Sequence, residues 1–359
     1  MVLKLPKLPK LPPFFSKVLS SFQPPKTAES TSRKTVGLNI GRENIVVSEI
    51  SFAPDNKLIL EQCGRGTTAA GIKTLLHDTK ITTKAVRMSL KGQGVVIRYL
   101  TFPRMSRADF TSSIQFEAEK YLPFSLSEVV LDYHIIDGAP GAKATDAMNV
   151  ILVAARKAGV EHLTNLAQEN GLKLHAIDLD VFALVNTFYH SNPSAKTSSL
   201  ALIDFGASDT ALAILNKGDL VFSRDVAFGG NDFKEAMQRK LNISAEEVLK
   251  IQHGPAPSDP AKVATCEEAL ERLFQELSSS LTYYYDQHQD ADPIGTVYIS
   301  GGFSQFSLLP ALLEKHIQAA IKNWDPTAGL VISKAIEEEK LKELIPYLPV
   351  SIGLAVRPK

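Results

Sequence analysis

The chain has 359 residues, a formal net charge of zero, and 44% hydrophobic against 22% charged residues, a globular composition with material for two or three core-forming units. Balanced charge, with no basic patch interleaved with aromatics in the body of the chain, argues against nucleic acid as a partner. No apolar run approaches the roughly 18–20 residues that cross a bilayer, and Cys63 and Cys266 lie outside any ligand spacing, so a soluble cytoplasmic protein with two small buried thiols is expected.

Residues 1–34 open with a Lys-Leu-Pro repeat (Lys4-Leu5-Pro6, Lys7-Leu8-Pro9, Lys10-Leu11-Pro12) that cannot be helical, because proline recurs every third residue. The prolines also break up any signal-peptide core. Phe14, Phe15, Val18, Leu19 and Phe22 follow at helical spacing, with Lys4, Lys7, Lys10, Lys17 and Lys26 and no acidic residue before Glu29. Two readings stand: a weak basic amphipathic contact with a membrane surface, or a disordered Pro-rich extension. The folded body begins near Thr35.

Residues 35–62 (TVGLNIGRENIVVSEISFAPDNKLILEQ) read as strand, glycine turn, strand, Pro-Asp-Asn turn and strand. Residues 84–102, 129–136 and 149–155 read as strands of a small sheet. Between them, residues 106–122 predict a helix, with Ser106 and Asp109 as a capping pair and Pro123 as its stop. Phe110, Ile114, Ala118, Tyr121 and Leu122 form its apolar stripe, facing that sheet. A second helix, 157–170, stopped by Asn170-Gly171, would cover the same sheet.

Residues 199–224 (SLALIDFGASDTALAILNKGDLVFSR) repeat the plan of 35–62 at a constant offset. Asn39-Ile40-Gly41 aligns with Asp204-Phe205-Gly206, and residues 45–50 align with 210–215 without a gap. A repeat of this length indicates a duplicated domain. Each turn suits phosphate, because glycine admits close approach and successive N–H groups form an anion nest. A carboxylate at the strand end can hold hydrated Mg²⁺ beside it. Residues 296–299 then read as a buried strand, followed by Ser300-Gly301-Gly302 and a helix carrying Phe306, Leu309, Leu312 and Leu313. Such a junction lets a flat ligand lie against bare backbone.

Two glycine hairpins followed by a strand–Ser-Gly-Gly–helix element resemble the actin/Hsp70/sugar-kinase superfamily. Within it, the chain is similar to the PilM family of actin-like type IV pilus assembly proteins, related to the division protein FtsA. The resemblance is carried by residues 98–106 (RYLTFPRMS), 114–124 (IQFEAEKYLPF) and 129–133 (VVLDY). It continues through 227–230 (AFGG), 276–285 (ELSSSLTYYY) and 351–355 (SIGLA), and spans roughly 35–357.

The resemblance implies an α/β, actin-like ATPase fold: two duplicated ribonuclease-H-like domains with a small inserted α/β subdomain. The implied layout is a first domain starting at 35–83, the insert at 84–178, and a helix returning to the first domain at 179–198. The second domain, with the nucleotide loops, would span 199–340, and 341–359 would return to the first. ATP with Mg²⁺ is implied, held by Asn39 and Gly41 in the first hairpin and by Asp204, Gly206, Ala207, Ser208 and Thr210 in the second. Gly229, Gly230, Gly301 and Gly302 complete the implied site, and Asp204 is its metal residue.

The resemblance also implies a scaffold at the cytoplasmic face of the inner membrane, working with other pilus assembly components. It would hold the N-terminal tail of a PilN-like inner-membrane protein in a groove between helix 106–122, strand 95–102 and the first domain. Arg98, Phe116, Tyr121 and Leu122 are the implied lining.

The first hairpin departs from the family pattern. Asn39 stands for aspartate, Arg42, Glu43 and Asn44 replace small residues, and Val46 replaces a lysine. Losing charge-assisted contacts costs on the order of 1–3 kcal/mol. Asp209 in the second hairpin opposes phosphate unless it meets the metal, and Phe233 stands where the family more often has threonine. Weak or lost ATP binding and no efficient turnover are therefore expected. The eight histidines form no zincin pair, and no nucleophile elbow is present. The alternatives are an active ATPase or sugar-kinase-type phosphotransferase, which Asn39 opposes, and the cytoplasmic L-type module of a type II secretion system. Such a module would continue into a transmembrane helix after residue 359.

Overall fold

The computed structural model describes residues 33–55, 57–68, 71–136 and 147–357. Most of the basic Pro-rich tail, with its Lys-Leu-Pro repeat and the apolar segment 14–22, lies outside the described residues.

The first repeat folds into β1 (Arg33–Ile40), β2 (Asn44–Phe52) and β3 (Leu58–Thr67), an antiparallel meander followed by α1 (Gly71–Asp78) and β4 (Ala85–Leu90). Here the structure differs from the sequence expectation. β4 does not join the small sheet but pairs in parallel with β1. Its alternating buried Val86 and Met88 face the same core as Val36 and Leu38 of β1, a long-range match that local pattern cannot reveal.

The small subdomain comprises β5 (Val95–Pro103), α2 (Arg107–Glu117), β6 (Val129–Ile136) and β7 (Ala147–Arg156). Its antiparallel strands run in the order β5-β7-β6. The Ser106 hydroxyl accepts the Asp109 N–H at 3.2 Å, capping α2. Phe110, Ile114 and Ala118 pack on Phe102, Met148, Val150 and Leu152, so the predicted stripe covers the small sheet. The α-helix ends at Glu117 and tightens into a 3-10 turn over Ala118–Lys120. This is three residues or more before Pro123, whose ring disfavours helical geometry in its predecessor.

α3 (Lys157–Glu169) is the second difference. Its buried Val160, Leu163 and Ala167 join the core of the first large sheet, together with Val36, Met88 and Ile177. β8 (Lys173–Leu179) then pairs in parallel with β4. α4 (Asp180–Ser191) starts directly from it and buries Phe182, Val185 and Phe188 against Leu200, Leu202 and Leu215 of the second lobe.

The second repeat forms β9 (Ser199–Phe205), β10 (Thr210–Asn216) and β11 (Asp219–Val226). After them come α5 (Gly230–Leu241), α6 (Ala245–His253), α7 (Pro260–Gln287), β12 (Thr296–Ser300), α8 (Leu309–His316) and β13 (Ala320–Asn323). The sheet runs β11-β10-β9-β12-β13, with β12 parallel to β9. Cys266 on α7 is buried in this lobe and Cys63 is half-buried; burial pushes both thiols up to about 11.

The chain then recrosses. β14 (Val331–Ile332) adds to the edge of β3, completing the order β14-β3-β2-β1-β4-β8, and α9 (Glu338–Leu344) places Leu341 in the core beneath it. α10 (Pro349–Val356) is buried along its whole length, as a helix apolar on every face demands, and its one polar side chain, Ser351, pairs with the Ser48 hydroxyl at 2.7 Å. It lies between β1 and α4 through two glycines. A Cβ on Gly37 would stand 1.9 Å from the Ser351 carbonyl oxygen, and one on Gly353 would stand 1.8 Å from that of Ala183. No described helix is long and apolar enough to cross a membrane.

Candidate functional site

The two hairpins close in the same register. Asn39 faces Val46 and Ile40 faces Ile45; Asp204 faces Ala211 and Phe205 faces Thr210. In each turn the glycine N–H donates across the loop, Gly41 to the Asn44 carbonyl oxygen at 2.8 Å and Gly206 to that of Asp209 at 2.9 Å. The lobes bring these turns to opposite walls of one cleft of about 300 Å³. That is the lower end of the roughly 300–1,000 Å³ typical of small-ligand sites.

The two strand-end residues meet different partners. Asn39 Nδ2 donates to Asp180 Oδ1 at 3.2 Å. Asp204 Oδ1 accepts the Ser300 hydroxyl at 2.7 Å, because β9 and β12 pair Asp204 with Ser300. Burial pushes the Asp204 carboxyl up to about 6, only partly offset by Ser300 and Lys91. Burial likewise raises Asp180, against the pull of Lys91, Ser89 and Asn39.

Lys91, in the turn after β4, reaches into this group. Its Nζ lies 2.9 Å from Asp209 Oδ1 and 3.8 Å from Asp180 Oδ2. Burial alone would lower the ammonium; the Asp180 and Asp209 carboxylates overcome it and hold the group above the ordinary lysine range. Two further contacts tie the lobes: the Gly92 N–H donates to Asp225 Oδ2 at 3.3 Å, and Asn231 Nδ2 donates to Glu43 Oε1 at 2.6 Å.

Of the residues expected at a nucleotide site, Asn39, Gly41, Asp204, Gly206, Ala207, Ser208, Gly230, Gly301 and Gly302 line the cleft. Thr210 and Gly229 do not. The Thr210 hydroxyl is fully buried and donates to the Phe228 carbonyl oxygen at 2.8 Å. Gly229 is pressed on the 207–208 backbone, where a Cβ would meet Ser208 N at 2.5 Å. Phe233 is fully buried, 5.2 Å from the Phe303 ring and 4.9 Å from the Phe306 ring. Gly301 takes φ +89°, and a Cβ there would lie 2.2 Å from the Phe205 carbonyl oxygen. Beside it, the Tyr347 ring covers one face of Gly302, and the Arg65 guanidinium stacks 4.1 Å above that ring.

Sequence reasoning did not single out Lys91, Asp180, Arg65, Lys234 or Tyr347, all of which line the cleft. In the sequence Asp180 is a helix-start acid and Lys91 a lysine beside a glycine turn, patterns that do not by themselves mark a site. Together Arg42, Arg65, Lys91 and Lys234 set four cationic side chains against Glu43, Asp180 and Asp204. Such a lining suits an anion held against bare backbone. Among the described residues, no three His, Cys, Asp or Glu side chains converge to hold a metal ion.

The expected partner residues fall on the small subdomain. Arg98 Nε on β5 donates to the Tyr121 carbonyl oxygen at 3.0 Å, joining strand to helix end. The Tyr121 ring stands edge-on to Phe102 at 6.5 Å, and Leu122 packs on the small-sheet core. Phe116 on α2 is 78% exposed. β5 also touches the second lobe, where the Tyr99 hydroxyl donates to Ser223 Oγ on β11 at 3.0 Å.

The sequence profile of the type IV pilus assembly protein PilM family matches residues 64–359. A structure solved as the PilM-PilN type IV pilus biogenesis complex is similar over 90% of this chain and 99% of that one, at 24% identity and a TM-score of 0.78. The ethanolamine utilization protein EutJ from Carboxydothermus hydrogenoformans is similar over 91% of this chain and 90% of that one, at 10% identity and a TM-score of 0.50. Paired β-meanders, a parallel strand beside the second, and two recrossing helices make this the actin-like ATPase fold, and the chain belongs to the type IV pilus assembly protein PilM family.

Proposed function

We propose that the protein is an actin-like scaffold of type IV pilus assembly. It holds the N-terminal cytoplasmic tail of a PilN-like inner-membrane protein on the small subdomain, and so works at the inner face of that membrane. The observation that carries this reading is similarity, along nearly the whole chain, to a protein solved in the PilM-PilN complex. The exposed Phe116 ring, beside the Arg98–Tyr121 link, supplies an apolar anchor of the kind that recognition surfaces use.

In this reading the cleft takes ATP. Asn39, Asp204 and Lys91 face the polyphosphate, and the turns 41–44 and 206–209 supply N–H groups. Mg²⁺, when bound, would neutralise phosphate charge beside Asp204. Asn39 brings no charge to that position, so hydrolysis is slow and the nucleotide serves binding rather than turnover. Fluorescence anisotropy with a synthetic PilN-type N-terminal tail peptide tests the scaffold. Phe116→Ala and Tyr121→Ala should each weaken capture by about tenfold or more with melting unchanged, the cost of losing an aromatic anchor. Undiminished capture by both variants removes the small subdomain from the reading.

A further inference from the structure

A bound polyphosphate needs its charge neutralised, and the usual agent is a divalent ion held by carboxylates at about 2.0–2.1 Å in octahedral geometry. The carboxylates of this cleft converge elsewhere. Asp209 and Asp180 point at Lys91 Nζ, from 2.9 and 3.8 Å. Asp204 is engaged by Ser300 at 2.7 Å, and Asn39 spends an amide N–H on Asp180. The seat between the two hairpins is thus filled by an ammonium group belonging to the chain.

We infer that Lys91 is the fixed cation of the cleft, and that polyphosphate binding here requires no divalent metal. The inference rests on the reading of the cleft as a nucleotide site. The Lys91 side chain is 31% exposed and lines the cavity. It carries three N–H donors, so it can keep Asp209 and offer another donor to a phosphate oxygen. Asp180 and Asp209 keep it charged and aimed, and so hold the cation in place before ligand arrives.

Calorimetric titration with ATP, in EDTA and in excess MgCl₂, tests this on the full chain. Wild-type affinity should differ by less than about threefold between the two conditions, which is well under 1.4 kcal/mol. Lys91→Met should weaken binding in EDTA by at least about tenfold, and Mg²⁺ should restore part of it. Lys91→Arg should retain binding in EDTA, and thermal melts of both variants confirm that they fold. Wild-type binding that appears only with Mg²⁺, or Lys91→Met binding like wild type in EDTA, overturns the inference and leaves the nucleotide site standing. No wild-type binding in either condition overturns both.

Discussion

The Asn39 amide donates to the Asp180 carboxylate across the base of the cleft, 3.2 Å from nitrogen to oxygen. The neutral Asn39 side chain is therefore part of a hydrogen bond that a carboxylate could not make. Replacing it by aspartate would set two carboxylates against each other. Asn39→Asp should lower the melting temperature in EDTA, by an amount corresponding to about 1–3 kcal/mol. Millimolar Mg²⁺ should recover that loss by bridging the new pair. A melt unchanged by either substitution or metal would show that the two side chains do not share a site.

Asp204 gives a pH-dependent prediction. Its carboxyl is raised from 3.8 to about 6 in the folded protein, chiefly by burial. A raised carboxyl favours the folded state below its unfolded value, and that benefit is lost as pH rises through about 6. Asp204→Asn, which keeps an acceptor for Ser300, should thus stabilise the protein at pH 7.5 by at most about 3 kcal/mol and at pH 4 by little. Urea unfolding at both pH values checks the sign; an Asp204→Asn gain that grows on acidification contradicts it.

Gly37 on β1 and Gly353 within α10 leave no space. Gly37→Ala and Gly353→Ala would each drive a methyl group into a carbonyl oxygen of a packed neighbour. Each should cost more than about 2 kcal/mol, because neither β1 nor α4 can move without opening its own core. Calorimetric melts measure it, with Gly295→Ala, where a Cβ meets nothing within 4 Å, as the control.

Phe233 belongs to the aromatic core of the second lobe rather than to the cleft. Phe233→Thr should cost about 3–5 kcal/mol, in the range of large core truncations. It should not tighten ATP binding measured by calorimetry. Tighter binding with unchanged stability would place the side chain in the cleft after all.

Much of this was legible in the chain. The duplicated hairpins were visible because both the alternation and the turn glycines recur, and Asn39 and Asp204 fell where the alignment put them. The stripe of α2 was equally plain, being a local pattern. What local pattern does not encode is which sheet an element joins. β4 and α3 belong to the first large sheet because Val86, Met88 and Val160 complete a core that also uses Val36 and Leu38. The cleft was half readable for the same reason. Its backbone turns carry glycine signals, whereas Asp180 reads as an ordinary helix-start acid and Lys91 as a solvated turn residue. Only the fold brings them together.

The seating of α10 between β1 and α4 has a consequence for how the protein is made. A ribosome delivers β1 and β2 first, yet the helix that covers them lies at residues 349–356, and β14, which extends their sheet, at 331–332. Nascent first-lobe strands must therefore wait, with apolar faces such as Val46 and Ile50 uncovered, for most of synthesis. The second sheet, by contrast, draws its strands from one continuous stretch, 199–323. Its folding can finish earlier in translation, so the second lobe can be complete while the first still lacks its covering helix.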